Sequence, residues 1–223
     1  MKQYILFILL AIACLLLTRQ SLSSTDPYAH IRGYCSHAQA IDSTEFITRQ
    51  QNLAHILSLD SAIYITEPGA NGLYFGNISS TSWHLSERPL LLILSPPLQP
   101  RNLSHSQNVT TNSVQSSISV LTPEFEATRA KLLSIPASGD VNYIEWPEDA
   151  NPFQVLADSI SSLSDIKTVY VDEMMRAFVW QGLRDAFQNV PIKIASPTIR
   201  SLRERKSVAE LALLKCANEV SDM

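Results

Sequence analysis

The sequence predicts an α/β domain, a sheet covered by helices. Three observations carry that reading. Between Val141 and Ala195, short strand-like runs alternate with amphipathic stretches of helix length, the pattern of strands joined through helices. Residues 90–94 are a continuous apolar run closed by Pro96-Pro97, which suits a strand buried on both faces. The chain is 45% hydrophobic and 17% charged, a globular balance that excludes a disordered chain.

The elements follow in order. Residues 26–41 form a weakly patterned lead-in. A helix is expected over 44–59, with Asp42 and Glu45 at capping-box spacing and Phe46, Leu53, Ile56 and Leu57 on its apolar face. A strand follows at 62–66. Pro68-Gly69 and Asn71-Gly72 signal turns, and Leu73-Tyr74-Phe75 reads as the returning strand of a hairpin. Residues 97–117 are rich in Ser, Asn, Thr and Gln and read as a loop. A short strand at 118–121 precedes a helix opening at Thr122, with Pro123 in its first turn and Glu124 and Glu126 complementing the dipole, ending near Ser134-Ile135-Pro136.

The remainder alternates. A strand at 141–146 leads to a helix capped by Asn151-Pro152, with Phe153, Leu156, Ile160 and Leu163 inward. A strand at 168–171 leads to a helix capped by Asp172 and reaching Phe187, with Met175, Phe178, Leu183 and Phe187 on one stripe. Another strand covers 191–195. Ser207 and Glu210 then form a capping box. The helix behind it, through Leu211, Leu214 and Val220, meets no glycine or proline before Met223.

The first 25 residues stand apart. Lys2 precedes an apolar run over 4–17, followed by Thr18-Arg19-Gln20-Ser21. Fourteen helical residues reach roughly 21 Å, short of the ~30 Å hydrocarbon core, which is signal-peptide length. Cleavage near Ser21 and Ser23 gives a secreted chain, and no cleavage gives a signal anchor. Three sequons agree with export and mark Asn77, Asn102 and Asn108 as glycosylation candidates. Cys35 and Cys216 pair in an oxidising compartment, remain free thiols, or have a partner outside this chain. The expected organisation is a signal peptide or anchor at 1–25, the lead-in at 26–41, the α/β domain at 42–200, and a linker with the start of a helix at 201–223.

Chemistry-bearing motifs are scarce. The net charge of −4 argues against nucleic acid as a partner. No two of His30, His37, His55, His84 and His105 stand three or four residues apart, and no zinc or calcium motif occurs. Gly69, Gly72 and Gly76 fit no phosphate loop and read as turn glycines. No Gly-x-Ser-x-Gly elbow is present. Asp172-Glu173 pairs carboxylates at a strand end, where α/β sites often lie, but helix capping accounts for both. Trp83 and Trp146 are expected to pack on the sheet. The basic run at 200–206 is broken by Glu204 and reads as a solvated linker. These residues supply no catalytic, cofactor or metal assignment.

Several strings resemble the creatinase/aminopeptidase P family. They are Trp83-His84-Leu85-Ser86-Glu87-Arg88-Pro89, the stretch from Leu121 to Ala130, Tyr143-Ile144-Glu145-Trp146 with Asn151-Pro152-Phe153, Val171 to Arg176, and Leu202 to Ser207 continuing through Glu210-Leu211 to Val220. The resemblance spans residues 42–223. It implies a creatinase-like N-terminal domain, a mixed sheet flanked by helices. It also implies a second "pita-bread" domain that holds two divalent ions, manganese or zinc, through two Asp, one His and two Glu, and cleaves before proline. None of those five ligands maps onto a residue here, so the metals and the proline-containing peptides belong to that catalytic domain. The implied partners are the catalytic domain in cis and a second copy in a homodimer. The implied role is a non-catalytic domain of a secreted or membrane-tethered enzyme. The alternative is a standalone binding module derived from one.

Overall fold

The computed structural model describes residues 35–96, 116–161 and 166–222. The leader segment, Asn102, Asn108, His30, His105 and Leu163 lie outside the described residues. Among those described, no helix is long and apolar enough to cross a membrane. The chain forms two compact units, one of residues 41–206 and one that includes residues 35–40 and 207–222.

The larger unit runs α1 (Ser43–Leu59), β1 (Ala62–Thr66), α2 (Ala70–Gly76), β2 (Leu91–Ser95), β3 (Ser117–Pro123), a 3-10 turn (Glu124–Glu126), α3 (Ala127–Lys131), β4 (Asn142–Trp146), α4 (Pro152–Ser161), β5 (Thr168–Val171), α5 (Ala177–Ala186), β6 (Ile192–Ile194) and α6 (Pro197–Glu204). The six strands lie in the order β4-β3-β2-β1-β5-β6. β2 is antiparallel to both neighbours, whereas β1–β5, β5–β6 and β3–β4 are parallel. Five carboxyl ends therefore meet at one rim of the sheet.

Strand alternation sorts the core into two layers. Ala62, Tyr64, Leu92 and Leu94 face Leu53 and Leu57 of α1, Phe75 of α2 and Ile199 of α6. Ile63, Ile65, Leu91 and Ile93 face Phe153, Leu156 and Ile160 of α4 and Val179 and Leu183 of α5. Both faces are covered, which is why β1 and β2 read as unbroken apolar runs. The two helices of the second layer approach closely: a Cβ on Gly182 would stand 2.2 Å from the Phe153 ring.

α1 carries two buried polar residues that its apolar periodicity does not announce. Arg49 donates to the Tyr74 carbonyl at 3.1 Å, pairs with Glu45 and stacks 4.2 Å over the Tyr74 ring. Gln50 donates to the Phe75 and Pro136 carbonyls at 2.8 and 2.7 Å.

Five expectations need correction. Leu73-Tyr74-Phe75 is not a strand but part of α2. Tyr74 and Phe75 are adjacent and both buried, which a strand with one solvated face does not allow. Gly72 and Gly76 are close-approach residues rather than turn glycines, since a Cβ would come 2.7 Å from the Glu67 carbonyl oxygen and 2.7 Å from Leu92 Cδ2 respectively. α2 ends at Asn77, in the left-handed region at φ 56°.

The helix expected at Thr122 starts later, because Thr122 and Pro123 continue β3 and pair with Glu145 and Trp146. Asp172 does not cap α5. Its carboxylate accepts from the Met174 amide in a turn, and α5 opens five residues on, at Ala177. The inward stripe is therefore Val179, Leu183 and Phe187, and Phe178 is exposed. Finally, Asp42 caps α1 through the Thr44 amide at 2.8 Å, but Glu45 turns to Arg49 rather than closing a box.

The smaller unit contains α7 (Val208–Ser221), opened by the expected Ser207–Glu210 capping box. Cys35 and Cys216 form a disulfide within this unit, with their Cα atoms 5.1 Å apart.

Candidate functional site

In parallel α/β sheets, ligands favour the crevice at the carboxyl ends where the strand order reverses. Here the chain leaves β1 toward β2 and returns on the other side as β5, so the crevice lies between β1 and β5. Its floor is built from Thr66 and Glu67 after β1 and Asp172 after β5. Glu67 and Asp172 are 6% and 8% exposed, and burying carboxylates demands partners.

The partners come from the chain itself. Asp172 accepts from the Thr66 hydroxyl at 3.0 Å and from the Met174 amide at 2.9 Å. Glu67 accepts from the Arg176 amide at 2.8 Å through one oxygen. Its other oxygen takes the guanidinium, with Nε at 2.8 Å and the terminal nitrogen at 2.6 Å. Arg176 also donates to the Ser86 carbonyl at 2.6 Å and lies 4.8 Å over the Phe178 ring. One cation thus ties three segments across the crevice. Beneath it, burial and the neighbouring Asp172 push the Tyr64 phenol well above its ordinary range.

In this crevice the buried carboxylates are held in a clasp. The Arg176 guanidinium rests on Glu67 where a cation would have to sit, so the pair does not fit a divalent metal. Among the described residues, no group of three or more His, Cys, Asp and Glu could hold an ion. His37, His55 and His84 are exposed and separate. Glu173, paired with Asp172 in the sequence, turns away to Arg200 at 2.8 Å.

The rim around the clasp gathers residues from several strings singled out between residues 83 and 176. Arg88 pairs with Glu148 at 3.0 Å and stacks 5.0 Å from the Phe125 ring. Arg129 lies 4.2 Å over Trp83. Trp83 and Trp146 are buried, as expected of sheet-packed tryptophans. Tyr74 donates to the Leu202 carbonyl at 2.7 Å. Leu85 and Met174 on connections, Phe125 in the 3-10 turn and Phe178 in the first turn of α5 are large apolar side chains left exposed. The basic stretch expected as linker is largely helical in α6. Of the three sequon asparagines, Asn77 is described, exposed at the end of α2.

No family model matches the chain. It is 37% identical over 185 residues to an uncharacterized peptidase of Schizosaccharomyces pombe, which covers 82% of this chain and 37% of that protein. The crystal structure of recombinant prolidase from Thermococcus sibiricus superposes with a TM-score of 0.52 at 19% identity, covering 78% of this chain and 40% of the prolidase. The chain has the creatinase-like N-terminal-domain fold. This creatinase-like chain spans just over a third of the length of the curated relative it matches. Within it, four residues of the strings that carry the resemblance make contacts at the rim: Arg176 holds Glu67, Arg88 pairs with Glu148, and Arg129 stacks over Trp83. The Arg176–Glu67 pair could not be found from local sequence, because its members are 109 residues apart.

Proposed function

We propose that this chain serves as the non-catalytic N-terminal domain of a secreted or membrane-tethered Xaa-Pro aminopeptidase-like metallopeptidase, shaping substrate access or dimerisation. The observation that carries the proposal is the rim. Its carboxylates are engaged by Arg176, Thr66 and the Met174 amide, while Leu85, Phe125, Met174 and Phe178 face outward around them. Such a surface is built for contact with protein rather than for bond cleavage. The identity to a protein described as a peptidase supports the same reading. The Cys35–Cys216 disulfide supports passage through an oxidising compartment, in line with the apolar segment at 4–17 and with Asn77, Asn102 and Asn108 as glycan acceptors. In this reading the two metal ions and the proline-containing peptide belong to the catalytic domain.

The test is to purify the chain and assay release of the residue preceding proline, with manganese or zinc and with chelator. The expected result is no release. Metal-stimulated, chelator-blocked release that co-elutes with the chain would overturn the proposal.

A further inference from the structure

Arg205-Lys206 is the one place in the sequence where two basic residues are adjacent. The pair sits between α6 and α7, and Glu204, Arg205 and Lys206 are all exposed. Arg205 closes α6 in extended backbone (φ −85°, ψ 119°), and Ser207 is extended as well (φ −72°, ψ 167°). Endopeptidases take their substrates as extended, accessible chain, and exposed connections are where folded proteins are nicked. Among the described residues no ion pair engages Arg205, and Lys206 reaches back to the Arg203 carbonyl. The capping box explains Ser207 and Glu210 and does not involve the basic pair.

The disulfide bears on the same bond. Cys35 lies before the pair and Cys216 after it. We infer that the Arg205-Lys206 pair is a processing site for an endopeptidase with acidic specificity pockets, and that the Cys35–Cys216 disulfide keeps the severed α7 segment covalently attached. Water adds across the Lys206–Ser207 peptide bond, leaving a carboxylate on Lys206 and an amine on Ser207, and the disulfide is unchanged. The new amine arises where the Ser207 amide now donates to Glu210 Oε2 at 2.9 Å, so the Glu210 carboxylate is placed to pair with it. The flanking turns resist: the last turn of α6 must fray and the capping box must open, so the folded chain is cut more slowly than the unfolded one. The inference rests on the exported reading only for where such an enzyme is met.

The test uses the full oxidised chain and an endopeptidase specific for paired basic residues, read by intact mass. The expected product gains the mass of one water without reductant and releases peptide 207–223 only when reduced. The R205Q/K206Q chain loses the cut. Resistance of the folded chain, under conditions where the same enzyme cuts it in denaturant, would overturn the processing site. Release of peptide 207–223 without reductant would overturn the tether. Failure of the exported reading shows separately, as retention of a tagged chain inside the producing cell.

Discussion

Arg176 holds Glu67 twice over: its backbone amide bonds one carboxylate oxygen at 2.8 Å and its guanidinium bonds the other at 2.6 Å. The first bond survives any substitution at 176 except proline, and the second does not. Arg176→Ala therefore leaves a buried carboxylate half satisfied and strips the Ser86 carbonyl of its donor. We expect a loss of about 3 kcal/mol, the low end for breaking a buried pair, because the guanidinium is partly exposed. Denaturant unfolding measures it, and Glu67→Gln should cost less than Arg176→Ala.

Gly182 tests the packing of the second layer. In a helix interior, alanine gains about 1 kcal/mol over glycine, yet a Cβ here meets the Phe153 ring at 2.2 Å. Overpacking of that kind costs about 1–3 kcal/mol, so Gly182→Ala should destabilise. Gly139, where a Cβ meets nothing within 4 Å, should accept alanine without loss. Thermal unfolding of the two variants side by side checks both.

The pH dependence has a definite sign at the alkaline end. Burial raises the Tyr64 phenol, and the hydrogen bond to Asp60 raises that of Tyr170. A phenol whose folded value is raised contributes stability that is complete below its unfolded value, near pH 10, and is lost as pH rises through the folded value. Stability should therefore fall above about pH 10, and Tyr170→Phe should flatten part of that fall. Absorbance of ionised tyrosine, followed alongside unfolding in the wild type and in Tyr170→Phe, checks it.

At the acid end the sign reverses. The Thr44 hydroxyl and then its amide hold the Asp42 carboxyl below the usual carboxylate range. This contribution is present above the unfolded value and disappears as pH falls through the folded one. Asp42→Ala should shorten α1 at its start at neutral pH and remove that part of the acid response, as read by amide exchange at Thr44 and Glu45.

The parts of the fold that were legible in the sequence are those set by local pattern. β1 and β5 appear within their bounds, 62–66 and 168–171, because a short apolar run between turn signals has few alternatives. The capping box at Ser207 and the cap at Asn151 were equally local, the latter seen in the Phe153 amide at 2.9 Å. What the pattern missed depends on distant partners. Asp172 carries a helix-start signal that a turn uses instead, since Thr66 of another strand fixes its carboxylate. Tyr74 and Phe75 look like strand residues until Arg49 and Gln50 claim their carbonyls from α1. The clasp was invisible for the same reason: Glu67 reads as an ordinary residue before a Pro-Gly turn until Arg176 arrives from the segment after β5, 109 residues later.

The strand order carries a consequence for synthesis. β1 lies in the middle of the sheet, but one of its neighbours, β5, is made more than a hundred residues later. At ordinary translation rates, on the order of ten seconds pass during which the apolar edge of β1 lacks its mate. The amides and carbonyls of Ile63 and Ile65 stay open for that interval, and so does the crevice that Arg176 will close. The nascent chain therefore offers a sticky half-sheet to whatever shields emerging polypeptides, and Thr168–Val171 ends that exposure when it docks.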